Sequence, residues 1–157
     1  MHRTGIRVAT FFVAMLGIAP LIAAHGVTLP TREDFIDSED GYVDVAIFQP
    51  TDMKEWYKEG FNTTEQDAIL FEKYPGKFIL NTRWDPREGE DGLKTLRHNV
   101  ERWGCKGVKL YTAEWREGSR GWKLSDPEAY KYLEACQELG IKNMHVHKGP
   151  TIWPLNK

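Results

Sequence analysis

The stretch that decides the fold is Gly107–Tyr111, which reads GVKLY and lies between two helical patterns. Successive side chains of a β-strand point to opposite faces of the sheet. The apolar Val108 and Leu110 therefore share one face, and Lys109 shares the other face with Tyr111. The sequence thus predicts a strand with one apolar face and one polar face.

A second stretch, Met144–His147, reads MHVH and has the same alternation. Met144 and Val146 are predicted to face covering helices, and His145 and His147 to lie on the opposite side. Two strands therefore direct polar side chains towards one interior.

These stretches belong to a repeated unit. Four short runs rich in β-branched and apolar residues begin 35, 30 and 35 residues apart: Tyr42–Phe48, Lys77–Asn81, Gly107–Tyr111 and Lys142–His147. Helical patterns lie between them, at about Thr63–Tyr74, Asp91–Trp103 and Ser125–Gly140. Parallel neighbouring strands need a long crossover connection, and this spacing supplies it. The sequence predicts an α/β fold of about four βα units with parallel strands.

The helical patterns have recognisable ends and buried stripes. Thr63 and Gln66 have the spacing of a capping box, and the third pattern opens with a cap residue before Pro127. The predicted stripes are Leu93, Leu96, Val100 and Trp103 in the second helix, and Ala129, Leu133, Cys136 and Leu139 in the third.

Two arrangements of these units are open: a doubly wound sheet, or part of a (β/α)8 TIM barrel. In both, ligands bind at the carboxyl ends of the strands. A doubly wound sheet is covered by helices on both faces, so a face carrying Lys109, His145 and His147 fits it poorly. A whole barrel typically needs about 250 residues, and the chain has 157. The prediction is therefore a partial (β/α)8 barrel.

Composition excludes several functions. The 21 basic and 23 acidic residues give a net charge of −2, which provides no basic surface for nucleic acid. Cys105 and Cys136 are too few for a disulfide scaffold and lack metal-site spacing. Phosphate-binding loops and serine-nucleophile motifs are absent from the sequence.

The first 30 residues differ from the rest. Val8–Ala24 carries no charge and follows Arg3 and Arg7, an arrangement typical of a signal peptide. The alternative is a strand or helix of the domain. If residues 1–30 form a signal peptide, we expect export to the periplasm or outside the cell. If they do not, we expect a cytoplasmic location. Contact with a membrane is expected only if the leader remains uncleaved.

Several motifs together resemble a known family. They are VDVAIFQPT at Val43–Thr51, the strand Lys77–Asn81 with the following RWDP at Arg83–Pro86, GVKLY at Gly107–Tyr111 and MHVHKGPT at Met144–Thr151. In this order they are similar to the amidohydrolase-related (amidohydrolase 2) family of metal-dependent TIM-barrel hydrolases and non-oxidative decarboxylases. The resemblance covers residues 41–157, whereas residues 1–30 have no counterpart.

The resemblance implies a divalent metal, zinc or manganese, at the carboxyl ends of the barrel strands. The family takes its ligands from a His-x-His on the first strand, histidines on the fifth and sixth, and an aspartate on the eighth. His147 matches the fifth-strand ligand, and His145 is a second candidate ligand or a residue that supports one. Because the first-strand pair and the later strands have no counterpart here, we expect weak or no metal binding and no activity from an incomplete barrel.

The resemblance also implies a small carboxylate or cyclic substrate. Lys109, Arg83 and Tyr111 are the candidate substrate-binding residues. Each of two residues also has a structural alternative to substrate binding. Lys109 could extend its side chain along the rim of the barrel, and Arg83 could pair with acidic neighbours in its loop. The sequence assigns no catalytic residue.

A function of another class stays open at this point. The chain could be an exported, non-catalytic half-barrel that binds a small ligand, or that pairs with a second copy or a complementary half. Such pairing would cover the open edges that a half-barrel leaves.

Overall fold

A computed structural model describes residues 8–10, 44–54, 57–116 and 118–148. It has a mixed α/β architecture, which confirms the predicted class. The strands are β1 (Val8–Thr10), β2 (Val45–Ile47), β3 (Phe78–Ile79), β4 (Asn81–Arg83), β5 (Gly107–Leu110) and β6 (Asn143–Val146); the helices are α1 (Thr64–Lys73), α2 (Gly89–Trp103) and α3 (Pro127–Glu138). Within these ranges no helix has the length and apolar character needed to cross a membrane.

The strands form two parallel three-stranded sheets, ordered β1-β2-β3 and β4-β5-β6. The run Lys77–Asn81, predicted as one strand, is divided at Leu80. Ile79 pairs back with β2, whereas Asn81 pairs forward with β5. The prediction of a single strand was wrong because the chain exchanges one neighbouring strand for the other at this residue.

The helix ends follow from local chemistry. At α1 the Thr63 hydroxyl accepts a hydrogen bond from the Gln66 backbone N–H at 3.2 Å, and the Gln66 side chain accepts one from the Thr63 N–H at 3.0 Å. The predicted capping box is therefore confirmed. Helix α2 begins at Gly89, two residues before the predicted start, and ends before Gly104, whose φ of +64° is the left-handed conformation that glycine tolerates.

The larger core lies between the sheet β4-β5-β6 and the helices α2 and α3. Its fully buried members are Trp84, Leu96, Val108, Leu110, Ala129, Tyr132 and Cys136. The predicted stripe of α3 packs against this core, with Ala129 and Cys136 fully buried and Leu133 and Leu139 partly buried, so neither leucine lies at its centre. Tyr132 takes the central position instead: its ring stacks on Trp84 at 5.0 Å, and its hydroxyl donates to the Gly89 carbonyl at 2.6 Å.

Both cysteines are buried structural residues. Cys105 packs in a second core cluster with Phe48, Ala68 and Leu80. Burial raises the pKa of Cys105 to about 12 and that of Cys136 to about 11. Both thiols therefore stay protonated at neutral pH and are poor nucleophiles.

The predicted leader at residues 1–30 lies outside the described residues, apart from β1. That strand pairs in parallel with β2, with Val8 opposite Val45 and Thr10 opposite Ile47.

Candidate functional site

The polar face of β5 lies opposite the larger core. Val108 and Leu110 are fully buried in that core, and Lys109 between them points to the other side of the sheet. Lys109 is nevertheless only 2% exposed. Its burial lowers the pKa of the ammonium group. The face that carries Lys109 is therefore an enclosed polar interior.

Three basic or imidazole side chains occupy one level of this interior. Arg83 of β4 is the register partner of Lys109, and Lys109 is the register partner of His145 on β6. Register partners on adjacent parallel strands direct their side chains to the same face. The sequence prediction that Lys109 and His145 share a face agrees with this register.

A hydrogen bond joins the two sides of the interior. The side-chain nitrogen Nε2 of Gln49, which follows β2, lies 3.0 Å from Nδ1 of His145. The β3–β4 segment and β5 lie between these residues. In a flat sheet three strand spacings would separate them by about 14 Å, more than the two side chains can span. The strands must therefore curve, so that Gln49 and His145 face a common concavity.

The residues that directly follow β5 and β6 form an aromatic pair. The rings of Tyr111 and His147 stack with centroids 4.3 Å apart and planes 17° apart. The His147 backbone N–H donates to the Leu110 carbonyl at 2.9 Å, which extends the pairing of β6 with β5. Burial and the charge of Lys109 lower the pKa of His147, so this imidazole is neutral at pH 7.

The outer face of β6 differs from the prediction. Val146 packs partly against the larger core, as expected, but Met144 is 40% exposed. The expectation that a helix covers Met144 was wrong. Helix α3 packs against α2 and the short helix Pro86–Glu88, and within the described part of the chain β6 is the edge strand of its sheet.

Arg83 belongs to a partly buried ion-pair network at the carboxyl end of β4. Its guanidinium lies 3.0 Å from Asp52 and 2.8 Å from Glu88, and Arg116 contacts the same Glu88 oxygen at 2.8 Å. Burial opposes the charge of Arg83, but Glu88 and then Asp52 raise its pKa above the ordinary value. The charge of Arg83 is thus balanced by protein carboxylates. Such pairing with acidic neighbours was the alternative to substrate binding that the sequence left open for Arg83.

A neighbouring pair extends this network. The guanidinium Nε of Arg87 lies 2.8 Å from Asp85, and its Nη1 donates to the backbone carbonyl of Glu114 at 3.0 Å. Glu114 itself is only 6% exposed. Burial raises the pKa of its carboxyl group, and burial together with the Glu114 charge raises the pKa of Tyr111. Sequence reasoning missed Glu114, because a charged residue in a loop gives no signal of burial.

A cavity of about 330 Å³ borders this network. Arg83, Glu88 and Arg116 line it together with Thr64 of α1 and Asp91 of α2. Lys109, His145 and His147 are not among its lining residues. The cavity and the polar interior are therefore different places that share Arg83.

Gln49 is the second residue that sequence reasoning missed, although a signal was present. Ala46 and Phe48 are buried, and Phe48 packs with Leu80 in the second core cluster. The alternation that placed Lys109 also places Gln49 on the inner face, one residue after Phe48.

The donors in this interior do not form a metal site by themselves. In the ranges 8–10, 44–54, 57–116 and 118–148, no three His, Cys, Asp or Glu side chains could together hold a metal ion. Protein metal sites generally use three or four such ligands. Nδ1 of His145 is occupied by Gln49, and the adjacent Lys109 is a cation that opposes a second one.

The family model described as Amidohydrolase matches residues 25–156. The chain therefore belongs to the amidohydrolase family, a family of hydrolase-like enzymes that usually use a divalent metal. This confirms the assignment made from the strand-end motifs. A search of curated proteins found no match.

Proposed function

We propose that this chain contributes the substrate-binding part of an amidohydrolase-family enzyme. Its substrate is a small carboxylate or cyclic compound that undergoes hydrolysis or non-oxidative decarboxylation. The observation that carries the proposal is the buried Lys109, which lies beside His145 in a concave interior at the carboxyl ends of parallel strands.

The order of the strands supports a partial (β/α)8 barrel over a doubly wound sheet. From β2 through the β3–β4 segment to β6, neighbours in space are also neighbours in sequence, and every pairing is parallel. A doubly wound sheet reverses its strand order at a switch point, and its ligand binds there. A barrel keeps chain order and binds its ligand at the strand ends.

Lys109 is the residue proposed to hold a substrate carboxylate. Arg83 already contacts two protein carboxylates, whereas Lys109 lies beside His145 on the polar face of the sheet. A hydrogen bond to a charged partner is strong in an interior from which water is excluded. Tyr111 stacks on His147, and its raised pKa keeps the phenol protonated as a donor.

His147, which matches the fifth-strand ligand of the family, is proposed to be one of the residues that would hold the divalent metal, and that metal would supply an activated water for hydrolysis. Water then adds across the C–N or C–O bond that breaks, and the proton passes to the leaving nitrogen or oxygen. The described donors do not complete a metal site, and the role proposed for Lys109 does not depend on one.

Binding of a simple carboxylate tests the site. We expect benzoate, titrated calorimetrically into the purified chain, to bind saturably. Lys109→Met should weaken binding roughly tenfold or more, because it removes a charge-assisted contact. Lys106→Met is the matched control, since Lys106 is exposed and directly precedes the same strand. Equal binding by both variants contradicts the proposed site.

Product analysis separates the two reactions. Small lactones, amides and aromatic carboxylates would be incubated with the chain, with and without added zinc or manganese. Acid release measured at constant pH identifies hydrolysis, and release of carbon dioxide identifies decarboxylation. Turnover that is unaffected by Lys109→Met would place the chemistry elsewhere.

A further inference from the structure

Arg83 leaves its strand on the side of the polar interior but ends among protein carboxylates. It is the register partner of Lys109, so both side chains leave the sheet on the same face, from strands about 5 Å apart. Its Nη1 lies 3.0 Å from Oδ2 of Asp52 and 2.9 Å from Oε1 of Glu88, and its Nη2 lies 2.8 Å from the same Glu88 oxygen. The two carboxylates therefore lie within one arginine side chain of the interior.

Glu88 is held in place from several directions. It directly precedes α2, and its Oε1 also accepts a hydrogen bond from Nη1 of Arg116, in the loop after β5, at 2.8 Å. Its side chain lies over Gly92 of α2, where an added Cβ atom would come within 2.7 Å of the Glu88 Cβ. The Glu88 carboxylate thus has a fixed position before any ligand arrives.

Asp52 is fixed on the other side of Arg83. Its backbone carbonyl accepts a hydrogen bond from the Phe61 N–H at 2.6 Å, and its side chain is only 10% exposed. Lys54 contacts the same carboxylate at 3.1 Å but is largely exposed, and a pairing of that kind contributes little. Asp52 therefore remains the second protein carboxylate for Arg83.

We propose that Asp52 and Glu88 are specificity-determining residues that restrict the polar interior to substrates carrying a single carboxylate. A second carboxylate directed towards β4 would compete with both of them for Arg83, and would meet their negative charges. Like charges that are brought together away from water strongly oppose binding. This inference rests on the proposed function in taking the polar interior as the carboxylate site.

The neighbouring arginines do not change this balance. Arg116 contacts Glu88, and Arg87 contacts Asp85 at 2.8 Å. Each of the three guanidinium groups beside β4 thus already has a protein carboxylate as its partner. A charge-assisted pair with good geometry is among the strong polar contacts of a protein, so a substrate gains little by displacing one.

Three aromatic acids test the selectivity. At pH 7 benzoate carries one negative charge, 3-carbamoylbenzoate adds a neutral amide at the meta position, and isophthalate has a second carboxylate there. The last two compounds are nearly equal in size and differ in charge. In calorimetric titrations of the intact chain we expect 3-carbamoylbenzoate to bind at least about tenfold more tightly than isophthalate.

Two results of these titrations would overturn the proposal. The first is binding of isophthalate that equals or exceeds that of 3-carbamoylbenzoate. The second is failure of both meta compounds to bind where benzoate binds, because size and not charge would then decide.

Substitutions test the cause. Glu88→Gln removes the charge and keeps the shape of the side chain, so Arg83 becomes available to a second carboxylate. We expect the tenfold preference to fall to less than about threefold. The matched control is Glu90→Gln, which makes the same change of charge at a side chain that is 75% exposed, and which should keep the preference.

Asp52→Asn is a second variant in case Glu88→Gln does not fold. The φ of Asp52 is +67°, a conformation that asparagine also tolerates. We expect the same loss of preference. A folded variant at either position that keeps the full preference for 3-carbamoylbenzoate overturns the proposal.

Benzoate separates this inference from the proposed function. If benzoate binds and Lys109→Met weakens it, but isophthalate binds as tightly as 3-carbamoylbenzoate, only the selectivity is wrong. If benzoate does not bind, the carboxylate site itself is wrong and the selectivity falls with it.

Discussion

The two faces of β5 are buried to the same extent but differ in chemistry. On the outer face Val108 and Leu110 are 0% exposed among aromatic and aliphatic side chains, and on the inner face Lys109 is 2% exposed beside His145. Burial of the outer face stabilises the fold through the hydrophobic effect. Burial of the inner face costs stability, because it removes water from a charged group. The comparison separates the residues that maintain the fold from those we propose to be functional.

Truncation on the outer face should have the largest effect. Leu110→Ala removes a fully buried side chain, and we expect a loss of about 2–5 kcal/mol in the free energy of unfolding. Urea denaturation measures it. Ile69→Ala, at a position that is 66% exposed, should change stability by less than about 0.5 kcal/mol. Similar effects of the two substitutions would contradict the assignment of Leu110 to the core.

Substitution on the inner face should act in the opposite direction. Lys109→Met removes an ammonium group whose charged form is disfavoured by burial, so we expect it to stabilise the chain, although it weakens carboxylate binding. Because burial lowers the pKa of Lys109 in the folded state, the folded chain binds its proton less readily than the unfolded chain.

The pH dependence of this gain follows from that difference. The gain should be fully present below the folded-state pKa and should disappear as pH rises to the unfolded value of about 10.4. Thermal denaturation at about pH 7 and pH 10 would show the change. A gain that increases with pH would contradict a destabilising charge at Lys109.

Glu114 provides a carboxylate version of the same test. Burial raises the pKa of the Glu114 carboxyl group in the folded state. Above that raised pKa, the ionised Glu114 therefore destabilises the folded chain. Below the unfolded-state pKa of about 4.3, the carboxyl group is protonated in both states and the destabilisation is absent. Glu114→Gln should therefore stabilise the chain by about 1 kcal/mol at pH 8 and by less at pH 4. Glu134→Gln, at an exposed residue of α3, is the control for urea midpoints at both pH values.

The smallest effect is expected at the outer face of β6. Met144 is 40% exposed, so Met144→Thr should change the free energy of unfolding by less than about 0.5 kcal/mol. Val146→Thr should cost more, because Val146 packs partly against the larger core. The reverse order of the two effects would show that Met144 is covered after all.

The sequence predicted best what depends on local chemistry. The capping box of α1 needs only Thr63 and Gln66 three residues apart, and the two faces of Gly107–Tyr111 follow from the period of a strand. Its errors lie where distant elements meet. The break at Leu80 results from the change of pairing partner between β2 and β5, and the exposure of Met144 from the position of α3.

The candidate site divides in the same way. Lys109, His145 and His147 were found from alternation, and Gln49 could have been found by the same rule. The sequence gave no signal for the burial of Glu114 or for the ion pairs of Arg83 with Asp52 and Glu88. Both depend on residues that only the fold brings together.

The sequence alone determined the repeated strand–helix unit, the face of each strand that carries polar side chains, and the family, since periodicity and motif order are written along the chain. Only the tertiary structure decided that Gln49 reaches His145 across the interior and that Arg83 is already paired. Hydrogen bonds and ion pairs between residues far apart in sequence exist only once the strands have curved and packed.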